Sequence, residues 1–172
     1  MRKTLRDFNA PALSPFCFLL SPFKRKRIAM QQIIYAQNLC AELDSLVAQL
    51  APDRVFVLTD TTTQECCLPL LKSSAAVSAA HPIVIGSTDS NKTLESLASV
   101  WQQLGDNGAS RHSLLLCLGG GMVTDLGGFA AATFKRGIPF INIPTTLLAM
   151  VDARDAHDGG VRDAPHSLRA SP

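Results

Sequence analysis

The stretch "LCLGGGMVTDLGGFAAATFKRG" occupies Leu116–Gly137. An apolar run stops at three glycines, and a helix-compatible stretch with a small-residue face follows. The pattern predicts a strand, a tight turn and a helix over 122–136. Gly119, Gly120 and Gly121 let the backbone turn sharply and approach a ligand without a side chain in the way. The free N–H groups and dipole of the following helix favour an anion at that turn. No G-K-[ST] follows, so this is not a Walker loop, and Thr124 stands where a full G-x-G-x-x-G needs its last glycine. On these residues alone a phosphate cradle and a bare packing turn both remain open. Gly127-Gly128 and Ala130-Ala131-Ala132 suit close packing of the helix on a sheet.

Working outward, strands and helices alternate. Strands are predicted at 31–36 ("QQIIYA"), 54–59 ("RVFVLT"), 82–86 ("PIVIG"), 113–119 ("SLLLCLG") and 139–143 ("PFINI"). Helices are predicted at 37–50, where Leu39, Leu43, Leu46, Val47 and Leu50 form one stripe, and at 91–105 through Leu94, Leu97, Trp101 and Leu104. A short helix begins at "TTTQECCLPLL", limited by Pro69, and another at "PTTLLAMVDA". Continuously apolar strands alternating with helices imply an α/β fold, a Rossmann-like parallel sheet covered on both faces. Ligands in that architecture sit beyond the carboxyl ends of the strands. That rule selects Asp60-Thr61-Thr62, the Gly86–Lys92 loop, the glycine triplet, and Thr145-Thr146.

The chain has 172 residues and a net charge of +2, unevenly spread. Residues 1–30 hold seven basic residues and one acid, +6; the rest carries 9 − 13 = −4. The domain proper is mildly acidic and offers no basic face for nucleic acid. The five cysteines, Cys17, Cys40, Cys66, Cys67 and Cys117, form no C-x-x-C pair and read as reduced thiols of a cytoplasmic protein. "SPFCFLLSP" is too short to span a bilayer, and "KRKR" lies on the wrong side of it for a secretory signal. Residues 1–29 are therefore expected to be a basic, disordered extension, 30–153 the α/β domain, and 154–172 a divergent, disordered tail. "DAHD" in that tail is not promoted to a metal site, since nothing there supplies a rigid ligand frame.

Each polar candidate has two roles. Asp60 can accept from a ribose hydroxyl or cap a helix, which "DTTTQ" also fits. Thr145 and Thr146 are ambiguous between capping and ligand contact. Lys92 can reach a phosphate or be an ordinary first-turn lysine.

Together, "GGGMVTDLGGFAAATFKRGIPFINIPTTLLAMVDA" (119–153) resembles the signature stretch of 3-dehydroquinate synthase. Weaker similarity extends back to Met30 through "LTDTTT" (58–63) and "DSNKTLESL" (89–97). The resemblance implies an NAD site made by Asp60, Thr61 and Thr62 at the adenosine end, and Asp89 and Lys92 in the next loop. Gly120, Gly121, Met122 and Asp125 follow at the pyrophosphate and nicotinamide ribose, and Thr145 and Thr146 beyond them. It implies substrate contact by Arg136 and Asp152. The acid at 89 is often glutamate in the family. The implied reaction cyclises 3-deoxy-arabino-heptulosonate 7-phosphate, a small sugar phosphate, to 3-dehydroquinate with loss of phosphate, in the shikimate pathway.

After Ala153 the family continues into a "SVGGKT"-like run with a substrate-contacting lysine; here "RDAHDGG" has none. The complete family enzyme is a homodimer with a C-terminal helical domain whose glutamate and two histidines bind zinc or cobalt. Neither His157 nor His166 lies in a matching context. The expectation is an N-terminal portion, inactive alone. The alternatives are a non-catalytic NAD-binding module and a related sugar-phosphate cyclase.

Overall fold

A computed structural model describes residues 17–21, 32–87 and 92–155. Six strands run β1 Cys17–Ser21, β2 Gln32–Tyr35, β3 Val55–Asp60, β4 His81–Ile85, β5 Leu114–Gly119 and β6 Phe140–Pro144. The helices are α1 Leu39–Leu50, α2 Thr61–Cys66, α3 Ala75–Ser78, α4 Leu94–Asp106, α5 Gly121–Thr133 and α6 Leu147–Asp155. The strands form one sheet in the order β2-β1-β6-β5-β3-β4. β6, β5, β3 and β4 are mutually parallel, as the apolar runs predicted. From β3 the chain winds outward to β4, then returns to β3's other side for β5 and continues to β6. The winding direction thus reverses between β3 and β5, the point at which sheets of this kind form a crevice beyond the carboxyl ends of their strands.

β5 is apolar up to its terminal glycine because both its faces are covered, while β3 and β6 carry the buried polar residues Thr59, Asp60 and Asn142 among their apolar ones. Phe56, Leu58, Leu115 and Cys117 join Leu97, Val100, Leu104, Val123 and Ala130 beneath α4 and α5. On the other face Val57, Leu114, Leu116, Leu118, Ile141 and Ile143 pack with Leu43, Leu71 and Val77 beneath α1 and α3. The two sets alternate along each strand, the period-two geometry of a pleated sheet. Each fully buried leucine or phenylalanine contributes about 2 kcal/mol.

α5 lies close to the sheet because of a residue with no side chain. A Cβ on Gly127 would stand 2.4 Å from the Cys117 Sγ and 2.9 Å from Cδ2 of Leu58. The Trp101 Nε1–H donates to the Ala130 carbonyl at 3.2 Å and ties α4 alongside α5. The packing role expected of Gly127 and Ala130 is therefore observed.

Three features depart from the sequence expectation. Residues 1–29 were expected outside the domain, yet Cys17–Ser21 pair antiparallel with both β2 and β6. The helix expected over 122–136 ends at Thr133, and Lys135, Arg136 and Gly137 take φ of 47°, 71° and 102°. Two of these left-handed residues are not glycine, so the turn into β6 stores backbone strain. The Lys135 Nζ donates to the Ala109 carbonyl and helps hold it. The tail was expected to be disordered from 154, but α6 runs to Asp155; the rest of the tail lies outside the described residues. Among the described residues no helix is long and apolar enough to cross a membrane.

Candidate functional site

The crevice between β3 and β5 is built from their last residues. Asp60 ends β3 and caps α2: its Oδ1 accepts from the Thr63 N–H at 2.8 Å, and the Thr63 Oγ1 accepts from the Asp60 N–H at 3.1 Å. The Thr63 Oγ1 also stands 3.1 Å from the Leu118 carbonyl, so one hydroxyl links the carboxyl ends of both strands. Both sequence readings of Asp60 remain compatible, since the cap uses Oδ1 and the described residues give Oδ2 no partner. Thr61 and Thr62 are exposed on the first turn of α2 beside it.

The glycine triplet divides its labour. Gly119 ends β5, and a Cβ there would overlap Val123 at 2.5 Å. Gly120 is the N-cap of α5 with φ −77° and ψ −169°, extended backbone open to any residue. A Cβ on Gly120 would meet Cγ2 of Thr146 at 3.0 Å, while one on Gly121 would meet nothing within 4 Å. None of the three has positive φ, so close approach at Gly119 and Gly120, not chain reversal, is what favours glycine there, and no contact of the fold requires one at Gly121. α1, α2, α3 and α4 each carry a side-chain cap, from Asn38, Asp60, Ser74 and Thr93. α5 has none. Its first-turn N–H groups face the crevice without a side-chain acceptor, the arrangement that accepts an anion.

Lys92 and Asp125 come together although 33 residues separate them. The Lys92 Nζ is 2.6 Å from the Asp125 Oδ2, with side chains 31% and 45% exposed. Met122 is buried in the core beneath α5, so it can offer a ligand only its backbone. The Thr146 Oγ1 accepts from the Ala149 N–H at 3.3 Å and so caps α6. The Thr145 N–H donates to the Gly119 carbonyl at 2.9 Å, extending the β5–β6 pairing up to the triplet.

The other predicted residues stand apart. Asp152 is exposed on α6, beyond the carboxyl end of β6. Arg136 follows the far end of α5, at the amino end of β6. Thirteen residues of helix put it roughly 20 Å from the glycine turn. Asp89 lies outside the described residues. Among those residues no three His, Cys, Asp or Glu side chains stand together as metal ligands. A cleft of ≈ 680 Å³ that sequence reasoning did not find opens on the α1 face, lined by Leu39, Cys40, Cys67, Leu71, Leu118 and Thr145 among others. Burial, then the neighbouring Cys66 and Asp60, push the Cys67 thiol up, so it stays protonated at neutral pH.

Comparison with known proteins points the same way. The family described as "3-dehydroquinate synthase N-terminal" matches residues 82–162. The 3-dehydroquinate synthase of Parabacteroides distasonis is 50% identical over 123 residues, covering 72% of this chain and 35% of its own. Over this part, the chain belongs to the 3-dehydroquinate synthase family. It spans about a third of the length of the curated 3-dehydroquinate synthases that it matches, 35% and 34% for two of them. The 2-epi-5-epi-valiolone synthase ValA of Streptomyces hygroscopicus subsp. jinggangensis 5008, solved with NAD+ and Zn2+ bound, is 30% identical with a TM-score of 0.57 over 74% of this chain and 37% of its own. A 2-deoxy-scyllo-inosose synthase complexed with carbaglucose-6-phosphate, NAD+ and Co2+ shares the fold, with a TM-score of 0.60 at 23% identity over 67% of this chain and 32% of its own. The α/β fold of this 3-dehydroquinate synthase domain is therefore that of the sugar-phosphate cyclases.

Proposed function

We propose that the chain is the NAD-binding part of a 3-dehydroquinate synthase. The observation that carries this is the uncapped start of α5, with open space at Gly121, at the point where the sheet's winding reverses. A pyrophosphate fits that cradle: the N–H groups of Gly121 and Met122 donate to it, and Lys92 supplies a cation beside it. Asp60, with Thr61 and Thr62, takes the adenosine ribose through the free Oδ2. Asp89, Thr145 and Thr146 complete the NAD contacts that the family likeness assigns, Thr146 while capping α6. NAD, when bound, supplies the reversible oxidation of a substrate hydroxyl. The protein's part is placement.

The substrate of this reading is 3-deoxy-arabino-heptulosonate 7-phosphate, in the cytoplasm, with Asp152 on the substrate side. Arg136 is too far from the cradle to meet the same substrate, so its role requires delivery from a second chain. That agrees with the homodimer of the complete family. The described residues hold no ligand set that fits a divalent metal. The described residues supply the nucleotide side of that reaction. The alternative, an NAD-binding module with no catalytic partner, predicts the same binding.

The test is calorimetric titration of the chain with NAD and NADP. Asp60 opposes a 2′-phosphate by charge, so NAD is preferred. Asp60→Asn keeps a capping oxygen and removes the charge; it narrows the preference. A folded chain that binds neither nucleotide overturns the assignment.

A further inference from the structure

After α5 the chain takes two consecutive left-handed residues that are not glycine, Lys135 at φ 47° and ψ 35° and Arg136 at φ 71°. The left-handed form of such a residue is about tenfold less populated than the right-handed one, because its Cβ crowds the following carbonyl. It persists only where the surroundings over-determine it, and such outliers cluster at functional sites. Backbone bonds close the turn around the pair: the Gly137 N–H donates to the Phe134 carbonyl at 2.8 Å, and the Ile138 N–H to the Ala131 carbonyl at 2.9 Å. The pair itself is tied down by a side chain. The Lys135 Nζ donates to the Ala109 carbonyl at 2.5 Å, 26 residues back, and stands 5.4 Å from the centre of the Phe134 ring. Ala109 and Phe134 are both buried, so this anchor is fixed to the core. Arg136 is exposed, and its guanidinium has no hydrogen bond or ion pair among the described residues. Of two adjacent cations, one is turned inward and the other is left available.

We propose that Lys135 is a positioning residue for Arg136: its bond to the Ala109 carbonyl holds the left-handed turn, and the turn presents the Arg136 guanidinium to the anionic sugar phosphate of a second chain. The inference rests on the substrate role proposed above for Arg136 and adds the device that aims it. An arginine at a frayed helix end must be ordered when its ligand arrives, and that ordering subtracts from affinity. Here the backbone beneath Arg136 is set in advance by its neighbour. Without the anchor, the turn relaxes toward right-handed backbone, and only the fraction still left-handed can engage the ligand. Apparent affinity falls by that fraction. The preference of non-glycine residues for the right-handed form sets the expected loss at about tenfold.

The experiment uses the full chain and reads the turn and the ligand separately. NMR couplings that report φ follow residues 135 and 136 in wild type, Lys135→Met, Lys135→Arg and Arg136→Met. The same proteins are titrated with 3-deoxy-arabino-heptulosonate 7-phosphate in the presence of NAD. Lys135→Met is expected to lose the left-handed signature at Arg136 and to bind the sugar phosphate about tenfold more weakly. Lys135→Arg keeps a donor long enough to reach Ala109 and restores both. Arg136→Met leaves the signature at Lys135 in place and loses the affinity. Both side chains are exposed, so the variants keep their fold, which thermal melts verify. A Lys135→Met chain that keeps the left-handed signature at Arg136 overturns the proposal. So does one that loses it yet binds as wild type does while Arg136→Met is impaired; the substrate role of Arg136 then stands without the anchor. An Arg136→Met chain that binds no more weakly than wild type, or a wild type that does not bind, removes the substrate role and the positioning with it. NAD binding by that wild type would leave the nucleotide assignment intact.

Discussion

A Cβ on Gly120 would touch Cγ2 of Thr146 at 3.0 Å, and the Thr146 hydroxyl caps α6. Gly120 is thus a packing residue between two helix starts, whereas Gly121 beside it faces open space. Gly120→Val forces Thr146 to turn away and give up its cap. The expected loss is about 1 kcal/mol for the cap, plus strain from the crowded methyls. Denaturant unfolding of wild type, Gly120→Val and Gly120→Val/Thr146→Ala reads it. The double variant has no Cγ2 to clash, so a larger loss there than in the single variant contradicts this contact.

Gly127 holds α5 against β5 and β3. A methyl added there overlaps the Cys117 Sγ and Leu58, both in the core. Gly127→Ala is expected to destabilise by about 1–3 kcal/mol, even though alanine is the better helix former. Pairing it with Cys117→Ala restores part of the loss. A stability gain from Gly127→Ala alone, measured by urea melts, goes against this packing.

Two aspartates contribute to stability in a pH-dependent way. Burial alone would raise the Asp44 carboxyl, but donors from Ser74, Ala76 and Ala75 outweigh it and hold the group below its ordinary value. Hydrogen bonds from Ser110 and Ser113 lower Asp53, against a smaller effect of burial. Carboxyls depressed in the folded state contribute their full stability above the unfolded value, near 4. They lose it as pH falls through the lower folded value. Their contribution is therefore constant above about pH 5 and falls away below about pH 4. Asp44→Asn and Asp53→Asn each make that limb shallower; an unchanged acid limb in the double variant refutes the assignment.

Cys117 is fully buried between Gly127 and the sheet, and burial pushes its thiol well above the ordinary range. Cys66 is exposed. A thiol reagent is expected to modify Cys66 well before Cys117, and Cys117 only when β5 opens, at a rate that tracks unfolding. Rapid labelling of Cys117 under native conditions, located by peptide mass, contradicts the core described here.

Much of this was legible in the sequence, for physical reasons. β5 and the start of β3 are continuous apolar runs because α-helices cover both faces, and such runs read clearly. The glycine triplet marked the turn, whereas α2 ends at Cys66, ahead of Pro69, which stands in a following 3-10 turn, Leu68–Leu71. What escaped depends on contacts distant in sequence or on neutral local chemistry. Lys92 and Asp125 meet through the packing of α4 on α5, which no local pattern reports. α3 is four residues long; its start is fixed by Ser74 and by Asp44, 30 residues earlier. "CFLLS" was set aside with its proline flanks, yet as backbone it completes the sheet beside β6. The left-handed turn at Lys135 and Arg136 uses residues that carry no sign of it.

The central claim is that the start of α5 cradles a dinucleotide, and Gly121→Val tests it most directly. Valine costs a helix no more than glycine does, and the added Cβ meets open space, so the fold is expected to survive. Titration with NAD, alongside a thermal melt of each protein, separates binding from folding. The account predicts NAD binding by wild type and at least a tenfold loss in Gly121→Val at an unchanged melting temperature. Equal NAD affinity in the two proteins, or no binding by folded wild type, would contradict it and leave the three glycines as a packing turn.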